Sequence, residues 1–214
     1  KPNRLEKAKF EINQMIRKLK GDRVALVVFA GSSHIYLPLT TDYEAAQLFL
    51  DGIDIQLIPT QGTDLSTAIQ TGLSAFTEES EHYKVFVLVT DGEDHEGAAI
   101  GLAETASKQG MIIHTVGVGT ETGSLIPRIE QDGSREYKRD RQGILVTSVL
   151  NEGLLRDIAR VGDGVFVRFD NRAASHREIM NAIDTMEKRT IQSHVYAEFE
   201  DRYQSFAFLS FLFL

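Results

Sequence analysis

The chain has 214 residues, a length that suits one α/β domain with appendages and a sizeable core. Hydrophobic content of 42% and charged content of 25% are ordinary for a globular protein, and a net charge of −8 argues against nucleic acid, which needs a concentrated basic face. The absence of cysteine excludes disulfides, thiol catalysis and zinc–thiolate sites, while leaving the compartment open.

In chain order, Lys1-Pro2-Asn3-Arg4 carries neither an initiator Met nor a signal peptide, so the chain is expected to be cut upstream. Leu5, Ala8, Ile12, Met15, Ile16 and Leu19 form a helical stripe, with Asn3 and Glu6 spaced like a capping box and Gly21 ending the helix. Val24–Ala30 reads as a buried strand, and Ile35–Leu37, followed by Pro38, as a short edge strand. Asp42 is placed to cap a helix over Tyr43–Leu50. A further helix spans Asp64–Phe76, with Leu65, Ile69, Leu73 and Phe76 turned inward. Ahead of it lies Pro59-Thr60-Gln61-Gly62-Thr63-Asp64-Leu65, where the Thr63 hydroxyl either caps the helix or faces a cation.

Val85-Phe86-Val87-Leu88-Val89 reads as a strand buried on both faces, running straight into Asp91, Glu93, Asp94, His95 and Glu96. Ligands of open α/β sheets bind just beyond the carboxyl ends of the strands, and oxygen-rich clusters suit a hard cation such as Mg²⁺. The bland alternative is an Asp-Gly surface turn with a solvated acidic helix start. A helix over Ala98–Gln109 and a strand at Met111–Val116 come next. Residues 119–147 are polar, carry Asp132-Gly133 and Gln142-Gly143 turn signals, and read as a hairpin-like excursion. Helix Glu152–Arg160, strand Gly164–Arg168 and helix Ala174–Lys188 close the series. The alternation predicts a doubly wound, mainly parallel sheet with helices on both faces.

The C-terminal Phe206–Leu214 is almost wholly apolar and shorter than the roughly twenty residues a membrane span needs. It reads as a severed transmembrane helix or a buried strand, with Tyr203 and the charged Glu198, Glu200, Asp201 and Arg202 ahead of it as at a membrane surface. Enzyme signatures are thin. Gly117-Val118-Gly119 lacks the third glycine of a dinucleotide loop, and there is neither a Walker lysine nor a Gly-x-Ser-x-Gly elbow. Of the six histidines, His114 sits in an apolar strand as a core residue, and His95 is either a solvated helix-start residue or a general base.

Gly62-Thr63-Asp64-Leu65, followed by an apolar strand ending in Thr90-Asp91-Gly92, resembles the second and third metal-site loops of a von Willebrand factor A-type domain. The phrases Lys1-Pro2-Asn3-Arg4-Leu5, Val27-Val28-Phe29-Ala30-Gly31, Leu37-Pro38-Leu39-Thr40-Thr41-Asp42-Tyr43 and Thr90–Gly97 make the likeness closer to the bacterial Bat (aerotolerance) family. It covers roughly residues 1–188 as the A-type domain, with 189–204 as a juxtamembrane segment and 205–214 as the start of a truncated transmembrane helix.

The resemblance implies that the first central strand and its Asp-x-Ser-x-Ser loop lie upstream of Lys1, and that Thr63 and Asp91 are metal ligands, direct or through water. It implies Mg²⁺ or another divalent cation, held weakly by this chain because one loop is missing, with a coordination position open to an acidic residue of a protein partner. It further implies a bacterial inner-membrane anchor, a domain facing the periplasm, a link to other Bat-type proteins and to a MoxR-type AAA+ ATPase, and a role in complex assembly under stress. On this reading the protein is a binding module and not an enzyme. The alternative from the residues is a metal-dependent hydrolase or phosphotransfer enzyme using Asp91, Asp94 and His95.

Overall fold

The structure, a computed structural model, describes residues 3–60, 62–76, 83–94, 97–120, 123–125, 127–129, 135–137, 143, 145, 147–169 and 176–185. The chain divides into two compact units, Lys1–Ile179 and Met180–Leu214. Residues 176–179 of the first and 180–185 of the second are helical. The expected juxtamembrane segment 189–204 and apolar tail lie outside the described residues, as do His95, Glu96 and much of 119–147.

Helix α1 (Arg4–Ile16) opens as its sequence predicts: Asn3 Oδ1 accepts a hydrogen bond from the Glu6 amide at 2.8 Å. It ends sooner than the apolar stripe. The amides of Lys18 and Leu19 turn back onto the carbonyls of Met15 and Ile16 at 2.9 and 3.2 Å, so Leu19 falls in a tightened last turn ahead of Gly21. Strands β1 (Val24–Phe29) and β2 (Ser33–Thr40) form an antiparallel hairpin. The expected three-residue edge strand is thus eight residues long and runs through Pro38. Pairing passes from Leu26↔Leu37 to Val24↔Thr40, and this register shift spans Pro38, where no amide is available for the ladder.

Helix α2 (Tyr43–Asp51) is capped by Asp42, whose Oδ1 accepts from the Ala45 amide at 2.9 Å. Ile16, Leu26, Leu37, Ala46 and Leu50 bury together as one apolar cluster shared by α1, β1, β2 and α2.

A second cluster organises the rest. Helix α3 (Leu65–Ser74), strand β3 (Lys84–Thr90), helix α4 (Ala99–Lys108), strand β4 (Met111–Val118) and helix α5 (Glu152–Val161) bury Leu65, Ile69, Leu88, Ala103, Met111, Ile113 and Ile158. Four short strands intervene between β4 and α5. Strand β3 pairs in parallel with β4, and β4 with the last strand, β9 (Phe166–Phe169). Parallel strands joined through helices α4 and α5 follow the strand–helix–strand order of a doubly wound α/β fold.

Two details differ from the sequence expectation. Strand β3 is only partly buried, with Leu88 and Thr90 its buried residues, because among the described residues it pairs with β4 alone. The strand buried throughout, except at Ile112, is β4 at the sheet's centre. Second, Val24–Ala30 reads as a buried strand, whereas only Leu26 and Val28 of β1 are buried and its ladder partner among the described residues is β2, antiparallel. Among the described residues β1 and β3 share no ladder. Helix α3 bridges the two sheets, packing on β1, β2 and β3.

The polar excursion carries two antiparallel pairs. β5 (Ser124–Leu125) lies against β8 (Thr147–Ser148), and nested inside is β6 (Pro127–Ile129) against β7 (Arg135–Tyr137). The outer pair brings Ser148 back to the sheet.

Candidate functional site

Strand β3 delivers Asp91 at its carboxyl end, and the backbone there turns sharply. Gly92 has φ +76°, and a Cβ on it would stand 2.8 Å from the Asn151 carbonyl oxygen, so both conformation and space demand glycine. Thr90 Oγ1 accepts from the Gly92 amide at 3.2 Å. The Asn151 amide donates to the Asp91 carbonyl at 2.9 Å, and Asn151 Oδ1 in turn caps α5 by accepting from Leu154 N at 3.2 Å. The Asp91 backbone is thereby fastened to the start of α5.

The Asp91 carboxylate is engaged on both oxygens. Oδ1 accepts from the Glu93 amide at 3.4 Å, and Oδ2 accepts from Ser148 Oγ at 2.8 Å and from Arg4 Nη1 at 3.2 Å. Arg4 also donates from Nη1 to Ser148 Oγ and from Nη2 to the Ser148 carbonyl at 3.2 Å. Ser148 is buried, whereas the side chains of Arg4 and Asp91 keep 32% and 24% of their surface, so the pair is only partly shielded from water. An open groove of about 520 Å³ adjoins, lined by Glu93, Asp94, Thr147, Val149, Leu150 and Asn151. Asp94 Oδ2 accepts from the Gly97 amide at 3.1 Å.

Thr63 belongs to a loop docked on the carboxyl end of β1. The Gly31 amide donates to Thr60 O at 3.1 Å, and the Asp64 amide donates to Ala30 O at 2.9 Å. The cap of α3 is Asp64, whose Oδ1 accepts from Thr67 N at 2.9 Å, so the helix-capping role open to Thr63 is taken by its neighbour. Thr63 itself is half-buried. The structure joins Asp91 to Arg4 and Ser148, two residues that sequence reasoning does not single out as site residues. Arg4 stands in plain view at the first turn of α1, where a cation opposes the helix dipole. Ser148 carries no sequence signal, since its place depends on the β5–β8 pairing.

The described residues do not by themselves fit a divalent-ion site. Mg²⁺ wants six oxygens near 2.1 Å, and Asp91 Oδ2 already faces a guanidinium and a hydroxyl donor. Among the described residues no three His, Cys, Asp or Glu side chains converge as a metal group. No helix among them is long and apolar enough to cross a membrane.

A parallel sheet with flanking helices and a carboxylate at the end of β3 is the arrangement of a doubly wound α/β protein, with the carboxylate at the strand end where such folds keep a site. The von Willebrand factor type A domain description matches residues 1–93. The chain is 37% identical to an aerotolerance-related membrane protein from Bacteroides fragilis, covering 86% of this chain and 90% of that one with a TM-score of 0.81. With the conserved hypothetical protein BatB from Bacteroides thetaiotaomicron the identity is 38%, the coverage 88% and 90%, and the TM-score 0.83. A UPF0353 protein from Nocardia farcinica is 29% identical over 88% of this chain and 57% of its own length. The chain spans about half or less of the length of the curated relatives it matches. The chain belongs to the Bat aerotolerance-related family of von Willebrand factor A-type domain proteins.

Proposed function

We propose that this chain is a protein-interaction module of the bacterial envelope that presents the carboxyl end of its parallel sheet to a partner. The observation that carries this reading is the placement of Asp91: a partly exposed carboxylate beside an open groove, on a rigid strand end fastened to α5. Binding residues on loops held by a rigid scaffold are the ordinary arrangement for recognition. Thr63 and Asp91 are proposed as two contributors to a divalent-cation site that needs further oxygens to close, the partner offering an acidic residue. An inner-membrane anchor near residues 205–214, a periplasmic domain and a link to Bat-type proteins and a MoxR-type AAA+ ATPase complete the proposal. Family membership and the description of the Bacteroides fragilis relative as a membrane protein support it.

No specific observation favours the hydrolase alternative: Asp91 is tied to Arg4 and Ser148, and Asp94 to the Gly97 amide. The test is a pull-down from detergent-solubilised envelope with the natural full-length protein and its Asp91→Ala variant, with and without EDTA. Loss of the same captured protein in Asp91→Ala and in EDTA is expected. Identical capture in all arms would overturn the reading.

A further inference from the structure

We infer that the groove beside Asp91 receives a cationic side chain, arginine or lysine, of the partner protein. The inference rests on the reading of the sheet's carboxyl edge as the partner face, and it invokes no metal. Strand alternation builds the groove. Ser148 of β8 is buried and turns to Asp91, while its exposed neighbours Thr147 and Val149 line the groove together with Glu93, Asp94, Leu150 and Asn151. At about 520 Å³ the cleft has room for one long side chain and part of the segment that carries it.

Charge and shape of the lining select the occupant. Two carboxylates, Glu93 and Asp94, stand on its wall, and among the described residues no Lys, Arg or His does. Glu93 is half-buried, yet among the described residues its carboxylate neither accepts a hydrogen bond nor joins an ion pair. A partly desolvated carboxylate of this kind is stabilised by an incoming cation and destabilised by an incoming anion. The net charge of −8 adds long-range attraction for a basic partner. Val149, 44% exposed, and Leu150 supply an aliphatic wall for the methylene stem of Arg or Lys, leaving the charged head at the carboxylates. The inner side of the same strand already holds a cation by this chemistry. There the Asp91 carboxylate and the hydroxyl and carbonyl of Ser148 accept from the Arg4 guanidinium. The groove presents the same acceptor types, carboxylates from Glu93 and Asp94 and a hydroxyl from Thr147, on the side open to a partner.

The experiment is surface plasmon resonance on the natural full-length protein in detergent, with one short blocked peptide carrying Arg, Lys, Gln or Glu at its centre. The Arg and Lys peptides should bind about fivefold more tightly than the Gln peptide, and the Glu peptide most weakly. Glu93→Gln should weaken the Arg peptide about fivefold, and Val149→Ser, which changes no charge, about threefold through the lost stem contact. Asp54→Asn removes the same charge outside the groove, keeps the acceptor for the Gln56 amide, and should leave binding unchanged. Equal binding of the Arg and Gln peptides overturns the inference. An equal loss in Glu93→Gln and Asp54→Asn also overturns it, by reducing the effect to diffuse charge. The peptide series on the wild-type protein decides the matter even if a variant fails to fold. The underlying reading is tested separately with Val149→Arg, which places a resident guanidinium in the groove and should lower capture of the protein that wild type retrieves from solubilised envelope. Unchanged capture overturns this edge as the partner face, and the inference with it. Capture lost while the Arg and Gln peptides bind equally leaves the face standing and overturns the inference alone.

Discussion

Individual side chains in this protein are constrained by what their neighbours leave them. His114 lies fully buried in β4, its Nδ1 accepting from the Val165 amide at 3.0 Å and its Nε2 without a partner among the described residues. Burial lowers its pKa from the usual 6.5, because the charged ring has no water to solvate it. The unfolded chain therefore takes up a proton that the folded chain refuses. The contribution of His114 to stability is complete above pH 6.5 and is lost progressively as pH falls below that value toward the lowered folded pKa. Thermal unfolding measured between neutral pH and about pH 5 should show Tm falling with acid, and His114→Asn, which keeps an acceptor for Val165, should flatten that slope. A slope unchanged by the substitution would remove His114 as its source.

At the scale of elements, backbone approach governs more than propensity. The turn into β9 passes so close to β4 that a Cβ on Gly164 would stand 2.0 Å from the Ile113 carbonyl oxygen. Neighbouring bonds hold this register: Ile113 N to Gly162 O at 2.8 Å and Thr115 N to Val165 O at 3.0 Å. An added methyl cannot be absorbed by a side-chain rotation, since the obstacle is backbone. Gly164→Ala should cost more than about 3 kcal/mol, the range of strained backbone and overpacked sites, read as a lowered urea midpoint. An alanine variant within about 0.5 kcal/mol of wild type, the range of neutral surface changes, would mean that β9 shifts freely. Ser148 makes the same point for the site: the β5–β8 pairing, and nothing in the local sequence, carries it to Asp91.

For the first compact unit as a whole, the two apolar clusters differ in how they are secured. Strand β4 is paired on both sides and buried along nearly its whole length, whereas among the described residues β1 and β2 pair only with each other. Opening β4 requires breaking two ladders and exposing Met111, Ile113 and Val116, each fully buried. Amide exchange should accordingly be slowest over Ile113–Val116 and faster in the β1–β2 hairpin, because local opening favours the least buried, least paired regions. Equal protection in both would indicate a single cooperative unit without a weaker layer. The Arg4–Asp91 tie joins α1, which packs in the first cluster, to a strand of the second.

Local chemistry makes most of the elements legible. Asn3, Asp42 and the apolar runs at 85–89 and 111–116 act within a turn or a strand of themselves, and the helices and strands they predict are present within a few residues. Asp64 reads as the first residue of its helix and proves to be the cap, because a side chain that bonds the amide three residues on sits one step outside the helix. The position of Asp91 at a carboxyl strand end is also written in the chain, since an apolar run that stops at Thr-Asp-Gly has few other ways to end. Tertiary structure alone decided the rest. Pairing partners determined that β2 continues through Pro38, that β3 is only partly buried and that β1 pairs antiparallel with β2, and pairing is not encoded in either strand taken singly. Likewise the hydrogen-bond partners of the Asp91 carboxylate, Arg4 and Ser148, are brought from 87 and 57 residues away, at distances over which sequence spacing carries no geometric information.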